Sequence, residues 1–309
     1  MPIAISAGNW MQQLLIHAPG FASKRLIDIV MPGSHDSATY TLNSMKSFSV
    51  TQTKTLREQF LMGVRYFDIR LKQKGEGLVF FHGIISSDVR SASSELASFF
   101  STVLLSNEVV ILKLHFDNTS SYDLFERNFM SDILNRTITP SDFRTLSIKW
   151  LIANNKNIAL LVKNGYGETE YCMDYEANTF GGWGKTRDSQ KLTSKIESSR
   201  FDPTENIAKL KVVQTNQPAL VGSGSDRFLS VLEHDQKPES RQVTQGYIET
   251  TRVILKGTLQ RQNTEEKMES TSQIRGVVSM DNVGGDTGKT ILLLEIIALN
   301  YKGKSYYVP

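Results

Sequence analysis

Two histidines stand in settings suited to acid–base chemistry. One lies in Met31-Pro32-Gly33-Ser34-His35-Asp36-Ser37 and the other in Phe80-Phe81-His82-Gly83; between them Gly63-Val64-Arg65-Tyr66-Phe67-Asp68-Ile69-Arg70 ends an apolar run on an arginine. This set suits cleavage of a phosphodiester. One imidazole can take a proton from an attacking hydroxyl, the other can give one to the leaving oxygen, and a guanidinium can hold the charge on phosphorus. The chain has five histidines in all, so two beside glycines at the ends of apolar runs is not what scatter favours.

Such side chains need a scaffold that gathers them. Leu26 to Val30, stopped by Pro32-Gly33, then Arg65 to Leu71, Leu78 to His82, Val109 to Phe116 and Ile158 to Val162 read as strands. Thr55 to Met62, closed by Gly63, has helical spacing. So do Ala92 to Leu105 and Tyr122 to Leu134, which alternate with strands and argue for a parallel sheet with covering helices. Further strands are expected at Leu210 to Gln214 and Gly276 to Met280, and a last helix from Thr290 to Leu299. Gly165 to Arg187, centred on Gly181-Gly182-Trp183-Gly184, reads as a long surface loop, and the polar stretch Gln236 to Ser272 as one or two charged helices. No repeat and no linker divides the 309 residues, which fits one closed α/β barrel, a single domain over 1–309.

In such barrels chemistry sits at the C-terminal ends of the strands. His35, Arg70, His82, His115, Lys163 and Asp281 each fall at or just after a strand run, so all are expected at one mouth. Singly, each also has a structural reading. His35 and His82 could hydrogen-bond within their turns, and Arg70 could pair with Asp68 or a loop carboxylate. Lys113 and Lys163 could be solvated strand ends, and His115 a satisfied rim residue. Their joint placement argues for a site. His17 and His234 lack such context.

Composition excludes other classes. A net charge of +3 on 35 basic and 32 acidic residues, without a basic block, argues against nucleic-acid binding. The lone Cys172 allows neither an internal disulfide nor a multi-cysteine zinc site. No run reaches the roughly 18 apolar residues of a membrane-spanning helix, and no signal peptide is visible at the start. Gly288-Lys289-Thr290 fails as a phosphate-binding loop because Val283 stands where that motif needs glycine.

The blocks around His35-Asp36, Asp68 to Arg70 and His82 closely resemble the catalytic X region of bacterial phosphatidylinositol-specific phospholipase C. The match is clear from Ile27 to Asp117 and fainter through Lys163 to Ser279-Met280-Asp281-Asn282. The resemblance implies a distorted TIM-type (β/α) barrel that cuts phosphatidylinositol to diacylglycerol and a cyclic inositol phosphate. On that pattern His35 is the general base that activates the inositol 2-hydroxyl, oriented by Asp281. His82 is the general acid, with Asp36 as its carboxylate partner, and Arg70 contacts the phosphate oxygens. Asp68, Lys113, His115, Asp117 and Lys163 are the candidate substrate contacts. Tyr166 and Tyr171 are candidates for the aromatic on which the inositol ring stacks.

Calcium-dependent relatives carry an acidic ligand near position 70, whereas a fixed arginine would repel the ion. No metal or other cofactor is therefore expected, although Asp36 and Asp68 could ligate calcium. The family pattern has a lysine about where His115 stands. The implied partner is phosphatidylinositol in a membrane, met by peripheral contact through apolar rim residues, with Phe180 to Trp183 as the candidate loop. A monomer is expected, and the resemblance suggests secretion. Two other readings stay open: a calcium-dependent phosphoinositide or glycerophosphodiester phosphodiesterase, and a catalytically weak inositol-phosphate or membrane-binding module.

Overall fold

A computed structural model describes residues 3–44, 46–181, 191, 206–215, 275–285, 287–300 and 306–307. His234, Trp183 and the stretch Gln236 to Ser272 lie outside them. The strands are β1 (Ile3–Ala4), β2 (Val30–Ser34), β3 (Tyr66–Lys74), β4 (Gly77–His82), β5 (Ile85–Ser86) and β6 (Val110–Phe116). After them come β7 (Ile158–Lys163), β8 (Met173–Asp174), β9 (Thr179–Phe180), β10 (Leu210–Gln214), β11 (Gly276–Met280) and β12 (Tyr306–Tyr307). β1 pairs with β12 in a separate small sheet.

The main sheet curls in the order β8-β7-β6-β3-β2-β11-β10-β9, parallel throughout, as the distorted TIM-type barrel requires. The expected closure is not made by a ladder among the described residues. β8 and β9 are its two ends, and the short helix Tyr175–Asn178 spans the gap between them. The segment read as a long loop thus contains two strands and a helix. Their two-residue length gives too little alternation to show in sequence.

The first strand starts later than its apolar run suggests. Leu26–Asp28 is a 3₁₀ turn, and β2 runs through Pro32-Gly33 instead of stopping there. Proline is tolerated because β3 begins only at Tyr66, opposite Gly33, so no ladder partner waits for an N–H at Pro32. Gly33 faces the barrel interior, where a Cβ would come within 2.6 Å of Val277 Cγ1. The helical stretch Tyr122 to Leu134 is also broken: helix Thr119–Phe125 passes into a π turn over Glu126–Met130.

Strand pleating divides the apolar residues into two sets. Phe67, Ile69, Leu112, Leu114, Leu160 and Val162 face outward against helices such as Val89–Leu104, which buries Ala92, Leu96, Phe99 and Val103. Phe99 meets Phe67 edge-on at 4.8 Å. Met31, Tyr66, Ile111, Ala159, Leu161 and Val277 form the inner set, continuous with Trp10, Phe21 and Phe143 on the floor. The inner column of each strand then turns polar toward the mouth, which is how the fold gathers its chemistry.

The floor is tied by a fully buried ion pair. Arg65 donates to Glu108 at 2.7 Å and to the carbonyls of Phe60 and Gly8, while Glu108 accepts from the backbone of Met11 and Gln12. Burial pushes the Arg65 guanidinium down and the Glu108 carboxyl up despite their attraction. Removing one partner leaves the other as an uncompensated buried charge. Glu108→Gln is expected to cost about 3 to 5 kcal/mol in urea unfolding; a loss below about 1 kcal/mol would show that the pair does not hold the floor.

Candidate active site

His35 and Asp36 follow β2, and their side chains meet only because the backbone leaves the strand between them. In an extended strand, neighbours point to opposite faces. Asp36 instead takes a left-handed conformation (φ 45°), which Asp adopts more readily than most residues. His35 N donates to Met280 O at 3.0 Å and Ser37 N to Asp68 O at 2.7 Å, fixing the turn on both sides. β11 ends alike, with Asn282 at φ 50° directly after Asp281. Gln52, fully buried, clamps the two tips together. Its amide donates to His35 O and Met280 O, both at 2.9 Å, and accepts from Val283 N at 3.0 Å. No spacing or motif in the sequence marks Gln52.

The side chains converge on one carboxylate. His35 Nδ1 lies 2.9 Å from Asp281 Oδ1, and since an ionised carboxylate only accepts, Nδ1 carries the proton. His82 Nδ1 lies 3.0 Å from the Ser49 carbonyl, which likewise makes it a donor. Both Nε2 atoms are thereby directed to the same place: 3.4 Å and 3.3 Å from Asp36 Oδ2. Arg70 Nε pairs with Asp36 Oδ1, so the partner left open between Asp68 and a loop carboxylate is Asp36. Asp36 therefore serves both histidines and the arginine, a broader role than a dedicated partner of His82. Behind it, Lys113 Nζ donates to Asp68 Oδ2 at 2.9 Å, with both side chains buried.

His82 arrives by a different route from the one its sequence position suggests. It does not end a parallel strand. β3 overshoots the mouth as far as Lys74, and β4 returns antiparallel, with Phe80 opposite Leu71, to bring His82 back to the level of Arg70. The parallel rows place the rest. Arg70, His115 and Lys163 are register partners across β3, β6 and β7. His115 meets Phe81 edge-on, at 5.8 Å between ring centres. Asp117 is exposed and accepts from Ser121 Oγ, outside the ion-paired cluster. Tyr166 stacks on Tyr122 at 5.0 Å, and Tyr171 donates to Glu126, so both ring-stacking candidates already have partners. Phe80 and Phe81 line the space beside Asp36 and Arg70, and Tyr175 places its ring 5.1 Å from Lys113 Nζ, on a helix that reads as loop in the sequence.

Burial works against the His35 imidazolium, but the carboxylates of Asp36 and Asp281 outweigh it and raise its pKa to about 8. Asp68 is held well below the usual carboxylate range: burial would raise it, and Lys113, Arg70 and His35 prevail. Burial, Arg70 and Lys163 push His115 down to about 4. His35, Asp36 and Asp68 could offer ligand atoms within 4.8 Å of one another. Each of the two carboxylates is already engaged by a side-chain cation, Arg70 on Asp36 and Lys113 on Asp68.

Because His35 rises above its ordinary 6.5, its contribution to stability is complete below about pH 6.5 and is lost as pH climbs through about 8. Asp281→Asn removes one of the charges that raise it. In an NMR titration the variant is expected to bring the His35 midpoint down from about 8 toward 6.5; an unchanged midpoint would remove Asp281 from the site's electrostatics.

Comparison with known proteins puts this geometry in context. No family model matches the chain. It is 26% identical over 226 residues to a PI-PLC X-box domain-containing protein of Dictyostelium discoideum, across 63% of this chain and 29% of that protein. It is 28% identical over 188 residues to 1-phosphatidylinositol phosphodiesterase of Staphylococcus aureus, across 57% of this chain and 56% of that one. The matches thus span well under two thirds of either relative. Phosphatidylinositol-specific phospholipase C of Listeria monocytogenes superposes with a TM-score of 0.68 at 16% identity, covering 97% of this chain and all of that one. The chain is a relative of the PI-PLC X-domain proteins and has the fold of the bacterial phosphatidylinositol-specific phospholipases C.

Proposed function

We propose that the chain is a phosphatidylinositol-specific phospholipase C whose 1–309 stretch forms one catalytic barrel, acting peripherally on a bilayer without a metal ion. The observation that carries this reading is the pair of imidazoles on Asp36. Each has its Nδ1 proton committed elsewhere, so each presents Nε2 beside Arg70. Neutral His35 takes the proton of the inositol 2-hydroxyl at Nε2. The freed oxygen attacks phosphorus, and the bond from phosphorus to the glycerol oxygen breaks. Protonated His82 gives its Nε2 proton to that oxygen, releasing diacylglycerol and leaving inositol 1,2-cyclic phosphate. Arg70 offsets the charge on the non-bridging oxygens. Asp281 orients His35 and stabilises its charged form, as a carboxylate behind a catalytic imidazole does.

Metal independence is supported by the two resident cations. Calcium entering between Asp36 and Asp68 would meet the guanidinium of Arg70 and the ammonium of Lys113 at close range, a repulsion the buried setting does little to screen. These cations supply the positive charge that a metal would otherwise bring to the phosphate.

Phosphatidylinositol vesicles in excess chelator, followed by ³¹P NMR, are expected to yield the cyclic phosphate first. Loss of product in chelator, restored by calcium, would contradict the metal-free reading. His35→Ala is expected to slow diacylglycerol release by roughly 10²- to 10⁴-fold, and an unchanged rate would remove His35 as the base. As the base must be neutral, kcat/KM should climb with pH up to about 8 and then level or fall; a rate already maximal near pH 6 would contradict the assignment.

A further inference from the structure

One short segment is hydrogen-bonded to the acid, to the backbone of the base and to the turn of its orienting carboxylate. Ser49 to Thr53 leaves the helix Lys46–Ser49 and joins the tips of β2 and β11. At its start the Ser49 carbonyl accepts from His82 Nδ1 at 3.0 Å. Two residues on, the Thr51 hydroxyl donates to His35 O at 3.0 Å, beside the Gln52 amide on the same oxygen. The Thr51 carbonyl accepts from Asn282 N at 2.6 Å, and Thr53 Oγ1 donates to Asn282 Oδ1 at 2.9 Å, so the turn after Asp281 is held by the same segment. The buried Thr39 hydroxyl completes the set. It accepts from Thr51 N and Gln52 N at 2.9 and 3.1 Å and gives its own proton to Asp36 O at 2.9 Å. The carbonyls of His35 and Asp36 need these donors because the left-handed turn takes them out of the strand ladder.

We propose that Ser49 to Thr53 is a positioning strap for the reaction and that Thr51 is its positioning residue: the Thr51 hydroxyl holds the His35 turn while the carbonyl two residues earlier holds the His82 ring, so the strap fixes base and acid relative to each other. The proposal rests on the reading of the site as a phospholipase C and adds a residue outside the reacting groups. Topology supports it. β4, which carries His82, pairs with β3 and β5 and shares no ladder with β2, which leads into His35. The other meeting point of the two rings is Asp36 Oδ2, which attracts both but makes no hydrogen bond to either. Ion pairing alone sets little direction, whereas hydrogen bonds do. Two residues of chain reach roughly 7 Å at most, so Ser49 O cannot shift far unless Thr51 follows. A misplacement of about 1 Å is enough to slow a positioned reaction by roughly 10²-fold.

The test sets Thr51→Val, which keeps the shape and removes the hydroxyl, against Thr51→Ser, which keeps the hydroxyl. On phosphatidylinositol vesicles Thr51→Val is expected to lower kcat by about tenfold or more with KM within about twofold of the wild type, while Thr51→Ser stays within about threefold on both. Thr137→Val removes a buried hydroxyl that donates to Leu134 O at the floor end of β7. As a control for lost stability it should leave kcat within about twofold. No loss in Thr51→Val, or an equal loss in Thr51→Ser, would overturn the proposal. ¹⁵N NMR of the ring nitrogens gives a readout separate from turnover. In the wild type both neutral imidazoles should carry their proton on Nδ1, and Thr51→Val should disturb the His82 signals as well as those of His35. A neutral wild-type His82 protonated at Nε2 would overturn the strap without any variant, as would His82 signals that Thr51→Val leaves unchanged. If the wild type releases no diacylglycerol, the phospholipase reading fails, and the NMR comparison still decides the strap.

Discussion

The carboxylate of Asp36 is the constraint on which the site depends. A buried negative charge is tolerated only when cations and donors surround it. Asp36 has no solvent exposure at its side chain and meets His35, His82 and Arg70. Neither carboxylate oxygen makes a hydrogen bond, so the charge is met by ion pairing alone, which gathers the three groups that would act on a phosphodiester. The left-handed backbone at Asp36, the Gln52 clamp and the returning β4 strand all serve to bring these partners to it.

The barrel makes this possible through its pleat. Each strand carries apolar inner residues near the floor and polar ones near the mouth. The same alternation that packs Phe67 and Leu112 against the outer helices therefore sends Asp68, Arg70, Lys113 and His115 inward. Stability and chemistry are assigned to opposite ends. The Arg65–Glu108 pair and the apolar floor resist opening at one end. At the other, a cluster of charges is held close enough to perturb one another's protonation.

Much of this was legible because the strands are strongly patterned. The runs Arg65 to Leu71, Val109 to Phe116 and Ile158 to Val162 carry Arg70, His115 and Lys163 at or just after their ends, the positions that face the mouth. His35, Asp36, Arg70, His82 and Asp281 all lie in one cluster, although Asp281 is 246 positions from His35. Features set by tertiary context were not legible. Gln52 acts through an amide on a segment without periodicity, and Tyr175 lies in a turn too short to announce a helix. The direction of β4 is not legible either, because a strand that returns antiparallel has the same local pattern as one that continues a parallel sheet. Full closure of the barrel is the expectation from strand count, whereas among the described residues no ladder joins β8 to β9, which a short helix connects instead.

The most direct measurement is a paired titration and rate assay on Asp36→Asn, which keeps the shape of the side chain and removes its charge. The expected result is a His35 midpoint that falls from about 8 toward 6.5, together with a loss of diacylglycerol release of roughly 10²-fold or more. A variant that folds normally, keeps the His35 midpoint near 8 and turns over within a few-fold of the wild type would contradict the claim that one buried carboxylate organises this site.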